Sequence, residues 1–345
     1  MFLRHCVYIS LLILLCSCRS GSDEYIGSLK CKRIALSPSK EIALSEFDVL
    51  APRAIRMFGD IVAITCSNGD HNLVLIDLPT MEQRRVIHRG RGPGEMIIPA
   101  SFHESDGKGI LYDPNMSVCV SIDVEETYNT GEAVMDTIGL FSKSNLKPYY
   151  FCKAGEGFVS GNALDDGVWY SYFDSSGKVL SNVRAISFPQ IQGTGLDFRR
   201  SLMLSSVYAS SPDARKVCVA NVATAALSFA DNNGGVLTEY KRYEISPPIM
   251  ISKAYGTVFS PDSKDYFRDI YATNDKVYLL YSGNPLQGGD IPSYEGRYVV
   301  EYDWDGRVCR LIELSHTISS FYLQGDNLIA LTTFPDTKIL FFATE

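Results

Sequence analysis

The sequence predicts an all-β fold in which one β-hairpin is repeated along the chain. The clearest copy spans Glu301–Leu311, where alternating strand residues flank the turn residues Asp305 and Gly306. An Asp-Gly pair provides the positive φ that a short hairpin turn requires. Similar hairpins occur at Tyr172–Leu180 and Ser228–Leu237. The Asp-Gly pair is therefore interpreted as a structural turn and not as part of a metal-binding loop.

Pairs of consecutive strand patterns, each pair forming one unit with its neighbouring hairpin, occur six times along the chain. In the first five units the third strand ends at an aspartate, and these aspartates are 46 to 72 residues apart: Asp77, Asp123, Asp174, Asp231 and Asp303. Four short antiparallel strands need about 40–50 residues, the size of a propeller blade, and the longer intervals leave room for inserted loops. The spacing predicts a six-bladed β-propeller of four-stranded antiparallel blades. Two stacked β-sandwich domains are the alternative, but sandwiches do not require a hairpin repeated at this spacing.

The sixth unit lacks a fourth strand, because only two residues follow the apolar run Lys338–Ala343. A strand from the N-terminus would complete this blade and cover its exposed edge. The alternating segment Leu29–Leu36 is the predicted closing strand. The propeller domain is accordingly predicted to span residues 29–345.

Composition supports a globular β protein. The 345 residues are 46% hydrophobic and 21% charged, with 20 tyrosines and 17 phenylalanines, residues that favour strands. The formal net charge is -8, and no basic stretch interrupts it. Because binding to nucleic acid depends on clustered Lys and Arg, nucleic acid is not expected to be a partner.

The N-terminus has the pattern of an export signal. Arg4 and His5 precede the apolar run Val7–Leu15, which is too short to cross a bilayer. The following Leu-Cys-Ser-Cys resembles the bacterial lipobox, which implies that residues 1–17 are a signal peptide and that Cys18 is the acylated residue. Residues 18–28 would then be a flexible tether. The alternative is a coincidental match. The expected location is the cell envelope, with a lipid anchor in the outer membrane and the domain on its periplasmic or surface face.

Six cysteines lie beyond this segment, and no two of them form a CxxC pair. They occur singly within strand patterns, so they are expected to be small buried hydrophobic residues. Pairing of some of them remains an alternative in an exported protein. They are Cys31, Cys66, Cys119, Cys152, Cys218 and Cys309.

The segment Arg89–Met96 reads Arg-Gly-Arg-Gly-Pro-Gly-Glu-Met and follows the first unit. With the lipobox, the six units and the upstream Asp77-Leu78-Pro79, it resembles the TolB-like six-bladed propeller lipoproteins of Bacteroidetes, whose first blade leads into a Gly-x-Gly-Pro-Gly-Glu loop. Ser211-Pro212-Asp213 is similar to the Ser-Pro-Asp that opens blades in TolB. The resemblance implies the fold and the compartment. It implies no particular biochemical activity.

Two groups of residues that contain arginine are candidate ligand-binding sites, and the first is in the glycine loop. Arg89 and Arg91 flank the rigid glycine loop and could bind a carboxylate or an acidic glycan. The alternative is that the loop fixes the crossover between blades, while Glu95 and the arginines bond locally.

A second group of candidates lies just before the inner strands of later blades. If these loops face the central channel, they place aromatic rings and guanidinium groups at its mouth, where they suit recognition of a peptide or sugar. The alternative is local ion pairing, for example between Arg268 and Asp265 or Asp269. The candidates are Arg199, Arg200, Tyr266, Phe267 and Arg268.

No catalytic constellation is recognisable. The histidines have no metal-ligand spacing, and no Gly-x-Ser-x-Gly elbow occurs. No catalytic residue, metal site or cofactor is therefore predicted. The predicted function is binding of a protein, peptide or glycan through one rim of the propeller. The alternative is a lactonase-like or lyase-like enzyme centred on the channel, with or without a bound calcium ion, in which three or more oxygen ligands converge there.

Overall fold

The computed structural model describes residues 24–141, 150–161, 167–186, 205–244, 249–252, 256–259 and 263–344. These residues form six antiparallel blades, which confirms the predicted six-bladed β-propeller. Blades 1 and 2 comprise Pro52–Phe58, Ile61–Cys66, His71–Asp77, Gln83–His88, and Ser101–Ser105, Lys108–Asp113, Val118–Ile122, Met135–Leu140. Blades 3 and 4 comprise Phe151–Ala154, Gly157–Gly161, Val168–Phe173, Val179–Arg184, and Ser206–Ser210, Lys216–Asn221, Leu227–Asn233, Val236–Tyr243. Blade 5 contains Phe267–Ala272, Lys276–Tyr281, Gly296–Asp303 and Val308–Ile318, and blade 6 contains Ser320–Gln324, Asn327–Thr332 and Lys338–Ala343.

An N-terminal strand closes blade 6, as predicted, but it is not the predicted one. The closing strand is β2 (Lys40–Ala43), which pairs antiparallel with Lys338–Phe341. The predicted segment contains β1 (Lys32–Leu36), which instead adds a fifth, parallel strand to the outer edge of blade 5. Both segments cover a sheet edge, and edge pairing depends on backbone groups that any alternating sequence offers. Alternation in Leu29–Leu36 therefore predicted a strand but not its partner.

Two short helices and one extra hairpin accompany the blades in the part of the chain that the structure describes. Helix α1 (Glu24–Ser28) lies at the end of the segment predicted as a tether, residues 18–28, and buries Ile26. Helix α2 (Val124–Thr130) follows blade 2's third strand and is capped by the side chain of Asp123. A 3-10 turn covers Leu44–Phe47, and Ile249–Ser252 pairs with Gly256–Phe259. Across the described ranges, no helix has the length and apolar character to span a membrane.

The core lies between adjacent blades. Between blades 2 and 3 it is rich in aromatic rings packed edge to face, including Phe141, Phe158 and Phe173. Between blades 3 and 4 the buried Trp169 donates from Nε1 to Ser206 Oγ at 3.0 Å. Because each blade buries both faces against its neighbours, the sheets read as nearly continuous apolar strands.

The hairpin Glu301–Leu311 of blade 5 has the predicted turn. Gly306 has a φ of +79°, and Asp303 Oδ1 accepts a hydrogen bond from Arg307 N at 2.8 Å. The expectation for the cysteines holds for four of the six, which are buried: Cys66, Cys119, Cys152 and Cys218. Cys31 and Cys309 are partly exposed, contrary to the expectation.

Candidate functional site

The candidate site is the central channel of the propeller, which holds a cavity of about 1120 Å³. The inner strand of each blade lies beside the inner strands of its two neighbours, and all six contribute to the lining. Two hydrogen bonds link the inner strands of blades 2 and 3 in the same order along both strands, from Phe151 N to Ser101 Oγ and from Lys153 N to His103 Nε2. The strands therefore run parallel around the channel. The end where they begin is called the mouth below. A cavity of this volume is large enough for a small-molecule or peptide ligand.

A buried ion pair fastens the channel wall where blades 1, 5 and 6 meet. Arg56 Nη2 lies 3.3 Å from Asp269 Oδ1, and the two side chains are only 6% and 14% exposed. Asp269 Oδ2 also accepts hydrogen bonds from Ser320 Oγ at 2.6 Å and Phe321 N at 3.0 Å. Arg56 Nη1 donates to the carbonyls of Ile55 and Phe321 at 2.6 and 3.2 Å. These groups satisfy one another, which assigns them to closing the ring rather than to binding a ligand.

On the opposite wall, blades 2, 3 and 4 are joined through His103 and Lys153. His103 Nε2 accepts a hydrogen bond from Lys153 N at 2.9 Å, and Lys153 O accepts one from Ser210 Oγ at 2.8 Å. Burial lowers the pKa of His103 to about 3, with smaller contributions from the charges of Arg56 and Lys153. His103 is therefore neutral at physiological pH, with its proton on Nδ1. Its Nε2 lone pair is occupied by a structural hydrogen bond, which does not suit a general base.

The mouth presents donor groups that the fold does not use fully. Arg53 is exposed and forms none of the hydrogen bonds or ion pairs seen among the described residues. Arg268 Nη1 lies 3.2 Å from Asp265 Oδ2, whereas its buried Nε has no described partner. Burial raises the pKa of Asp265, and the charge of Arg268 lowers it by a smaller amount. Tyr294, which is 44% exposed, also lines the cavity. The mouth therefore combines two guanidinium groups with an exposed aromatic ring.

The opposite end of the channel carries a ring of carboxylates. Each blade turns there from its inner strand into its second strand, and every one of these six turns carries an exposed carboxylate: Asp60, Asp106, Glu156, Asp213, Asp275 and Asp326. Two of them have basic neighbours, since Lys153 Nζ lies 3.2 Å from Asp106 Oδ2 and Arg215 Nε lies 3.7 Å from Asp213 Oδ2. Lys108, Lys216 and Lys276 stand at the starts of the second strands beside these turns, so this end of the channel carries charges of both signs.

The glycine loop has a structural role at its first arginine. Arg89 donates from Nε to Gly69 O at 2.9 Å, from Nη1 to Ile97 O at 2.8 Å and from Nη2 to Cys66 O at 3.4 Å. All three guanidinium nitrogens therefore hold backbone carbonyls, and Arg89 has little capacity for a ligand. Arg91 remains exposed.

The loop glycines make room for a carboxylate. Glu95 Oε2 accepts a hydrogen bond from Gly92 N at 2.7 Å, and a Cβ added to Gly90 would lie 2.0 Å from this same oxygen. The motif is thus a carboxylate folded over two glycines, in agreement with the alternative of local bonding.

The structure separates the other predicted residues. Phe267 is completely buried and Tyr266 is 9% exposed, and both pack in the core between blades 4 and 5. Arg268 reaches the cavity. Arg199, Arg200 and Cys18 lie outside the described residues. Sequence reasoning missed Arg53, although Arg53, like Arg268, stands at the start of an inner strand. A search for that position in each blade would have found it.

The enzymatic alternative predicts oxygen ligands that converge in the channel. Among the described residues, no group of three or more His, Cys, Asp or Glu side chains is arranged to hold a metal ion. The buried carboxylate in the wall, Asp269, is already bound to Arg56 and Ser320. No described set of oxygen ligands converges in the channel.

Comparisons with known proteins agree with this architecture. A family model described as TolB-like 6-blade propeller-like matches residues 35–326. A putative exported protein from Bacteroides fragilis NCTC 9343 is 12% identical, with a TM-score of 0.50, over 90% of this chain and 99% of its own. The Cps50 (Swd1) β-propeller domain of Myceliophteria thermophila is also 12% identical, with a TM-score of 0.49, over 90% of this chain and 100% of its own. No curated protein matches the sequence. At this identity, the similarity to the Bacteroides fragilis structure concerns the fold alone.

Proposed function

The chain belongs to the TolB-like six-bladed propeller family, and from that premise we propose that it is a lipid-anchored binding protein of the cell envelope. Its ligand is a protein, peptide or glycan that carries a carboxylate and docks at the mouth of the channel. Propellers commonly serve as binding scaffolds, so the family supplies the scaffold, and the mouth supplies the specificity.

The observation that carries the proposal is the free cationic mouth of a large cavity. Arg53 is exposed and unengaged among the described residues, and the buried Nε of Arg268 has no hydrogen-bond partner among them. Guanidinium groups bind carboxylates through paired hydrogen bonds, and a ring such as that of Tyr294 stacks on sugars or peptide groups.

The test compares Arg53→Gln with Arg307→Gln. Both substitutions remove one exposed positive charge, but Arg307 lies in the outer hairpin turn of blade 5. An array of acidic and neutral glycans and peptides is probed first, and the affinity for the best binder is then measured by calorimetry. A charge-assisted hydrogen bond contributes about 1.5–3 kcal/mol, so Arg53→Gln should weaken binding by roughly 10- to 100-fold. Arg307→Gln should leave it within about twofold. Equal binding of neutral and acidic probes, unaffected by Arg53→Gln, would rule out the mouth as a carboxylate site.

The lipid anchor rests on the sequence pattern ending at Cys18, which lies outside the described residues. Radiolabelled palmitate should enter the wild-type protein and not a Cys18→Ala variant. Equal labelling of the two, or labelling of neither, would contradict the anchor. Fractionation of the labelled protein tests the location, and the label should be recovered with the outer membrane.

A further inference from the structure

His71 and His88 face each other across the outer hairpin of blade 1. His71 begins the strand His71–Asp77, and His88 ends the antiparallel strand Gln83–His88 beside it. The centroids of the two imidazole rings are only 4.2 Å apart, with an angle of 43° between the ring planes. The hairpin thus brings together two side chains of the type that most often binds metal ions in proteins.

The strand register places this pair where opposing side chains are closest. Arg89 N donates a hydrogen bond to Asp70 O at 2.8 Å, one position beyond the two histidines. Because hydrogen-bonded and non-hydrogen-bonded pairs alternate along an antiparallel ladder, His71 and His88 form a non-hydrogen-bonded pair, in which the Cα atoms are about 4.5 Å apart. On its other side, His88 O accepts a hydrogen bond from Met96 N at 3.1 Å. The backbone around His88 is therefore held from both sides.

The hydrogen bonds of the fold do not use either ring. His88 is exposed and His71 is partly buried. Within the described part of the chain, neither imidazole forms a hydrogen bond or an ion pair. Both rings can therefore turn a nitrogen toward a shared ion without breaking a described hydrogen bond.

The separation of the rings fits two ligands at a right angle on one metal ion. A metal about 2.0–2.1 Å from an imidazole nitrogen lies about 3.2 Å from the ring centre, so two ring centres are about 4.5 Å apart at a right angle and about 5.2 Å apart at the tetrahedral angle. The observed 4.2 Å is closer to the right-angled value. Right angles between ligands are typical of the square-planar and tetragonal sites of Cu²⁺ and Ni²⁺.

The electrostatic surroundings keep His71 in the protonation state that binds metal. Burial lowers the pKa of His71, the charges of His88 and Arg85 lower it further, and Asp70 raises it by a smaller amount. His71 is therefore mainly neutral at physiological pH, and a metal ion binds the neutral imidazole. The positive charge of Arg85 is offset by Asp48, since Arg85 Nη2 lies 3.2 Å from Asp48 Oδ2.

We propose that His71 and His88 bind one late divalent transition-metal ion, Cu²⁺ or Ni²⁺, with water in the remaining coordination positions. Consecutive strands of blade 1 are antiparallel, so its third strand begins at the same end as its inner strand. The site therefore lies on the rim that surrounds the mouth of the channel. The ion would clamp the third and fourth strands of the blade to each other. This site depends neither on the lipid anchor nor on a ligand at the mouth.

The first test is calorimetry with NiCl₂ on the purified full chain, prepared without a histidine tag and with its accessible thiols alkylated. The wild type should bind one Ni²⁺ per chain. A second ligand held in place raises affinity by about 10²–10⁴-fold, so His71→Gln and His88→Gln should each weaken binding by at least about 100-fold. His316→Gln removes a partly exposed imidazole from the outer strand of blade 5 and should leave the affinity unchanged. Ca²⁺, which prefers oxygen ligands, should not compete.

The second test identifies the ligands and the fold that carries them. Electron paramagnetic resonance of bound Cu²⁺ should show coupling to two imidazole nitrogens in the wild type and to one in either variant. With free Ni²⁺ 100-fold above its Kd, the urea midpoint should rise by roughly 0.9 M in the wild type and not in His71→Gln. Full Ni²⁺ affinity in both histidine variants, Cu²⁺ coupled to no nitrogen pair, or a wild type that binds neither ion at millimolar concentration would overturn the proposal.

Discussion

The Arg56–Asp269 pair makes the sharpest prediction about how the ring is held closed. Asp269→Ala removes the partner of a buried guanidinium and leaves Ser320 Oγ and Phe321 N without their acceptor. Loss of one member of a buried pair costs about 3–5 kcal/mol, because the other charge stays buried without compensation. With a urea m-value of about 3 kcal/mol/M, the unfolding midpoint should fall by roughly 1–1.7 M.

Urea unfolding can be followed by the fluorescence of the two tryptophans. Trp169 and Trp304 are 0% and 5% exposed, so both report loss of packing. The control is Arg307→Ala, which removes an ion pair with Asp305 whose side chains are 77% and 64% exposed. Such surface pairs contribute less than about 1 kcal/mol. The double variant Arg56→Met/Asp269→Ala should be at least about 1 kcal/mol more stable than the sum of the single effects predicts. If Asp269→Ala costs no more than the control and the double variant shows no coupling, the pair does not close the ring.

Three further predictions concern a histidine and two turns. The pKa of His103 is about 3 in the folded chain and 6.5 in the unfolded chain, so the unfolded state binds more protons between these pH values. His103 therefore lowers the free energy of unfolding as pH falls through this window. His103→Gln should give a shallower pH dependence of the urea midpoint between pH 3 and 6.5. Gly90→Ala should displace the Glu95 carboxylate, visible as loss of protection of Gly92 N in amide exchange, whereas Gly94→Asn, at a φ of +77° with open space, should retain it. Gly306→Ala should cost more stability than Gly325→Ala, because both need a positive φ but only at Gly306 would the new Cβ lie 2.9 Å from another side chain, that of Lys241; equal midpoints would show that this contact relaxes freely.

The sequence predicted what local chemistry determines. Turn residues and alternation located the second and third strands of all six blades, since an Asp-Gly turn acts over four residues whatever surrounds it. The closing strand was missed for the opposite reason. β2 has four residues and only one buried side chain, Ile42, so it carries almost no pattern. Its position is decided by the free edge of blade 6, which is formed by residues almost 300 positions away.

The candidate site was only partly predictable for a similar reason. The sequence marks aromatic and arginine residues at the start of Phe267–Ala272 as channel candidates, but it does not say which side chains point outward, and Phe267 points into the core. Arg56 and Asp269 are 213 positions apart, so no spacing rule could pair them. A lone arginine such as Arg53 is equally inconspicuous until the inner strands are placed in a ring.

Closure of the ring and recognition at the mouth are connected through the chain itself. Arg268 is the residue before Asp269, and Arg53 lies three residues before Arg56 in the same inner strand. The buried pair therefore fixes the backbone of the two inner strands that present the mouth arginines, which come from blades 5 and 1 on either side of the closing blade 6. Asp269→Ala should for this reason weaken a ligand that contacts both arginines, even at urea concentrations where the variant is fully folded. Arg307→Ala should not weaken it, because the outer turn of blade 5 does not set the distance between these strands. Unchanged affinity in a folded Asp269→Ala variant would mean that the mouth is positioned without the pair, and that closure and recognition are independent.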